Sequence, residues 1–121
     1  MPRVPLARLT FALAARGIEA AHVVSGDAGC ADETLAPTAI SFDASGLDQP
    51  TPVRLRIYIF RNDDAFERRR GDVDTCAQAW ATDPATFEMV DAAPFVVAGQ
   101  GPLGAGFVTA LREALVETAG D

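Results

Sequence analysis

The side chains able to do chemistry are few. The single histidine is His22, the single tyrosine is Tyr58, and the serines are Ser25, Ser41 and Ser45. Every basic residue is an arginine, so neither a Schiff-base lysine nor a phosphate-loop lysine is available. His22 has no serine or cysteine at a spacing that suggests a nucleophile pair, and it reads as structural. Carboxylates are abundant, but none stands in a setting that marks a general acid and its base. No catalytic residue is nominated.

Gly99-Gln100-Gly101-Pro102-Leu103-Gly104 matches G-x-G-x-x-G between a predicted strand and a predicted helix. A dinucleotide site also needs a second parallel strand with an acidic residue at its end. Here the sequence reaches Asp121 directly after the helix, and Pro102 removes one of the amides that would hold phosphate. The run therefore reads as a glycine turn feeding a helix, with weak anion binding at the helix start as the remaining functional reading. No cofactor is implied.

Cys30 and Cys76 are not in C-x-x-C spacing, and with one histidine they do not make a zinc site. Two readings stay open. In an oxidising compartment they pair, which contributes about 4 kcal/mol in the chain-entropy model. In a reducing one both are small thiols, with Cys76 packed beside Val73 and Trp80.

Arg54, Arg56 and Tyr58 share one face of a predicted strand, opposite Val53, Leu55, Ile57 and Ile59. They could form a docking surface for an acidic or aromatic ligand. The alternative is a solvated sheet face whose arginines pair across strands with Asp43. Arg68-Arg69-Arg70 does not make one patch, because successive helical residues point about 100° apart.

The elements that must position these residues follow from periodicity. A helix over 5–16 has Leu6, Leu9 and Leu13 on one face, Pro5 in its first turn, Gly17 at its exit and Phe11 off the face. Strands are expected over 18–24, 38–44 and 53–60. The polar segment 25–37 reads as a mobile loop, long for a domain of this size. Turn residues 46–52 argue for an antiparallel hairpin. Asn62-Asp63-Asp64 signals a helix start, Asp64 and Glu67 have capping-box spacing, and the helix 64–80 buries Phe66, Val73, Ala77 and Trp80. Short strands over 86–90 and 94–98 and a helix over 106–118 complete the order α-β-β-β-α-β-(β)-α. The expected fold is a single α+β domain over 1–121. It has an antiparallel sheet of four to five strands with helices packed on one face.

Bulk properties narrow the function classes. A chain of 121 residues with 49% hydrophobic residues can bury its own core without a metal. A net charge of −7 gives no electrostatic footprint for nucleic acid. No apolar run approaches the roughly 20 residues of a membrane span. Arg8, Arg16 and Glu19 interrupt the apolar N-terminal stretch, so it is a poor signal core. Asp27-Ala28-Gly29-Cys30 lacks the Leu-like residue a lipidation site needs at Asp27.

Leu9–Gly17, Val53–Phe60 with Asn62-Asp63-Asp64-Ala65, and Phe95–Gly99 together give the chain its likeness. It resembles a small, uncharacterised α+β domain of secreted bacterial lipoproteins. The middle helix differs in its three arginines, and Gln100-Gly101-Pro102-Leu103 stands where that domain continues a strand. The resemblance implies fold and compartment, and no activity. Three classes follow. The first is a non-catalytic envelope or extracellular module, binding a protein or small ligand through an open sheet face. The second is a cytosolic ferredoxin-like or dimeric α+β barrel protein, an enzyme or small-molecule binder with residues 53–80 lining its pocket. The third is a structural domain that forms a homodimer.

Overall fold

The computed structural model describes residues 6–120. The expected roles of Pro5 and of the Leu6 side chain lie outside the described residues. The elements run α1 (Leu6–Ala15), β1 (Glu19–Ser25), a 3-10 turn (Ala36–Thr38), β2 (Ile40–Gly46), β3 (Gln49–Ile59), α2 (Asp63–Gln78), β4 (Phe87–Ala92), β5 (Phe95–Gln100) and α3 (Ala105–Gly120). The fold is α+β, and the expected order holds. The five strands form one open antiparallel sheet in the order β1-β2-β3-β5-β4.

Pleating divides the core into two layers. Leu55 and Ile57 of β3, Phe95 and Val97 of β5, and Phe42 of β2 pack with Leu9 and Leu13 of α1 and Phe107, Leu111 and Leu115 of α3. Tyr58 and Phe60, with Val96 and Ala98 of β5, pack on the opposite side with Ala65, Val73 and Cys76 of α2. Helices therefore cover both faces, where the sequence reading placed them on one. The physical reason lies in β5. Phe95-Val96-Val97-Ala98 is a continuous apolar run, buried at every position, and such a strand needs cover on both sides.

The segment between β1 and β2 is also not the free loop expected. Ala28, Leu35 and Ala39 are buried in the second layer beside Tyr58. Thr38 Oγ1 donates to the Ile59 carbonyl at 2.9 Å, and the Gly26 amide donates to the Ala39 carbonyl at 2.8 Å. At the β2–β3 connection Gly46 pairs with Gln49, so the turn is only Leu47-Asp48 and β3 starts earlier than expected. Pro50 and Pro52 fit because β5 pairs with β3 only from Leu55 onward, which leaves that stretch one free edge.

The start of α2 is set by local chemistry. Asn62, rather than Asp64, caps α2: its side chain accepts from the Ala65 amide at 2.8 Å. Asp63 and Asp64 then lie in the first turn, where negative charge suits the helix dipole. On α1 the expected face holds, with Leu9 and Leu13 buried and Phe11 74% exposed.

Candidate functional site

The three residues read from the sequence as a ligand surface do share one face, but most of it faces inward. Tyr58 is 1% exposed. Its hydroxyl donates to the Ala28 carbonyl at 2.8 Å and accepts from Trp80 Nε1 at 3.0 Å. Arg56 is 17% exposed, pairs with Asp27 at 3.2 Å, and lays its guanidinium 4.4 Å from the Trp80 ring centroid. Only Arg54 reaches the rim. It pairs with Asp43 at 3.1 Å, as cross-strand pairing predicts, and donates to the His22 carbonyl and to Ser41 Oγ.

Asp27 organises this cluster. Its carboxylate accepts from the Ser41 hydroxyl at 2.7 Å, from Arg56, and from the Gly29 amide at 3.1 Å. Partial burial pushes the carboxyl up, but the Ser41 hydroxyl, the Arg56 charge and the Gly29 amide outweigh it and hold it below the ordinary value. The Tyr58 phenol is pushed up by burial, against the Trp80 hydrogen bond and the Arg56 charge. Gly29 has φ +80°, and a Cβ there would lie 2.5 Å from Trp80 Cδ1 and 2.7 Å from Arg56 Nε.

Cys30 and Cys76 form a disulfide with 5.3 Å between their Cα atoms, joining the β1–β2 segment to α2. Arg69 of α2 reinforces the same junction. It donates to Thr34 and lies 3.9 Å from Asp32. Asp32 accepts from the Thr34 hydroxyl and amide and from the Leu35 amide. These bonds hold its carboxyl below the ordinary value. The other two arginines of the run diverge, as helical spacing requires: Arg68 pairs with Asp64, and Arg70 with Asp74 and Asp91.

The glycine-rich run is fully engaged within the chain. Asp48, at the tip of the β2–β3 hairpin, accepts from the Gly106 amide at 2.9 Å and the Phe107 amide at 2.8 Å, at the start of α3. Those two bonds hold its carboxyl below the ordinary value. The Leu103 amide donates to Glu88 and the Gly104 amide to Gln49. A carboxylate of the chain itself occupies the place an anion would take at that helix. His22 sits in a left-handed conformation, φ 55°, with Nδ1 2.9 Å from Asp43. Ser41 is not its partner, since that hydroxyl points to Asp27.

An opening that sequence reasoning missed lies between α2 and the edge strand β4. Asp74, Ala77, Gln78, Ala81, Pro84, Phe87 and Met89 line a groove of about 460 Å³. Phe87 is braced from behind by Trp80, whose ring meets it edge-on at 5.0 Å. Trp80 in turn is fixed by Tyr58 and Arg56, so the groove floor rests on the clamped cluster. Alternation of Phe87 and Met89 was the only sequence signal for it.

Among the described residues, no group of three His, Cys, Asp or Glu side chains is placed to hold a metal. Among the described residues no helix is long and apolar enough to cross a membrane. Compared with family models, curated proteins and solved structures, the chain matches none.

Proposed function

We propose that this chain is a non-catalytic binding module of an oxidising compartment, the cell envelope or the extracellular space. The single observation that carries the reading is the Cys30–Cys76 disulfide. Protein disulfides persist where the environment is oxidising and are rare where thiols are kept reduced. This one closes a long loop of the chain and bolts a segment of the second core layer to α2, a structural placement rather than an exposed, reactive one. The likeness to the secreted lipoprotein domain points the same way.

The polar side chains support a binding rather than a catalytic role. Ser41 and Arg56 spend hydrogen bonds on Asp27, and Tyr58 spends its own on the Ala28 carbonyl and Trp80. Fractionation of the native cells, with thiols trapped by alkylation before lysis, tests the reading. The chain is expected in the envelope or secreted fraction with neither cysteine alkylated. Recovery from the cytosol with both alkylated would replace it with a cytosolic role.

A further inference from the structure

The two edges of the sheet differ. Edge strand β1 carries a bulge between Ala21 and Val24, with His22 turned left-handed inside it, and such a bulge breaks the row of outward main-chain groups. Edge strand β4 is regular along its whole pairing with β5. The direction of its main-chain groups follows from the bonds at its ends. Thr86 O accepts from the Gly101 amide on the β5 side, so Thr86, Glu88, Val90 and Ala92 point their amide and carbonyl groups inward. Phe87, Met89 and Asp91 point theirs outward. The Phe87 amide is taken by the Asp83 carbonyl, and the Asp91 carbonyl by Arg112. Left facing outward are the Phe87 carbonyl, both groups of Met89, and the Asp91 amide. That is the alternating set of donors and acceptors an incoming strand uses.

The groove under α2 runs beside this edge, on the face where Phe87 and Met89 lie. Resting on the reading of the chain as a binding module, we propose that the α2–β4 groove binds an extended, cationic peptide segment of another protein by strand addition to β4. Backbone bonds to Phe87, Met89 and Asp91 align the segment. Alternate apolar side chains enter between Phe87, Met89, Ala77 and Ala81. Charge selects the partner. At one end of the groove Arg70 sits between the carboxylates of Asp74 and Asp91 while Arg112 donates to the Asp91 carbonyl, so the charges there balance and the selection rests on the chain's net charge of −7. The same charge opposes a second copy of this chain and favours lysine or arginine in the partner.

A capped decapeptide of alternating valine and lysine is the probe, with two N-methylated versions, one blocking the valine amides and one the lysine amides. Binding is followed by amide chemical shifts of the oxidised protein. The parent peptide should move Met89, Asp91, Ala77 and Gln78 most. One N-methylated version should bind at least about tenfold more weakly and the other nearly as well, because only one edge of an added strand is used. Asp74→Lys, at an exposed position, should weaken binding several-fold without altering thermal unfolding much. Met89→Pro, which deletes the outward amide, should abolish it. Equal binding of both N-methylated peptides, shifts centred elsewhere, or no shift at millimolar peptide would overturn the proposal. So would a dimer in sedimentation equilibrium that Met89→Pro dissolves, since a second copy would then fill the site. These outcomes are read on oxidised protein. They are therefore separate from the thiol-trapping result on which the compartment reading stands or falls.

Discussion

Removing the Asp27 carboxylate strands two partners at once, the buried Ser41 hydroxyl and the Arg56 guanidinium. The charged pair, Asp27 and Arg56, keeps some exposure, so the loss stays well below that of a fully buried pair. Asp27→Ala is expected to cost about 1–3 kcal/mol in denaturant unfolding. The pH dependence has a definite sign. Asp27, Asp32 and Asp48 are each held below the ordinary 3.8, so in acid the unfolded chain binds more protons than the folded one. Their contribution is complete above that value and drains away as pH falls through the lower folded values. Asp27→Asn should flatten this acid limb, and an unchanged slope would remove Asp27 from the account. Asp48→Ala should speed hydrogen exchange at Gly106 and Phe107, whose amides it now holds, and should let phosphate shift them where the parent shows none.

At the scale of elements, the covalent link between the β1–β2 segment and α2 sets the second core layer. The double substitution Cys30→Ser and Cys76→Ser should lower stability by about 2–4 kcal/mol in urea or thermal unfolding. Loosening should appear first at Ala28, Tyr58 and Trp80, and the α2–β4 groove should lose definition with them. The helices and strands were legible in the sequence because period and capping are local, and Leu9, Leu13, Val73, Leu111 and Leu115 fall where spacing puts them. The covering of the second face was not read. Its signals were Phe95-Val96-Val97-Ala98 and the spaced Ala28, Leu35 and Ala39 inside a polar stretch, each of which gains meaning only once the partners are placed. The Asp48 cap had no local signal at all, since its amide partners lie 58 and 59 positions further along the chain. Of the candidate surface, pleating gave the shared face of Arg54, Arg56 and Tyr58. What lies over that face is a tertiary fact.

The molecule as a whole is a sheet clothed on both sides, with α1 and α3 over one face and α2 plus the bolted segment over the other. Surface chemistry is thereby moved away from the sheet faces to the edges, and β4 is the edge left regular. With a single tyrosine in the chain, the closure of the second face has a clean optical readout. The Tyr58 phenol is pushed above its ordinary 10.0 by burial, so its stabilising effect is whole below that value and lost as pH rises through the folded one. The deciding measurement is ultraviolet titration of the phenol in the folded, oxidised protein, with circular dichroism recorded at each pH. The covered face predicts ionisation only well above the midpoint of the urea-unfolded chain, coinciding with loss of structure. Ionisation at the unfolded midpoint, while the dichroism stays native, would mean that Tyr58 stands open to water and the second face is uncovered.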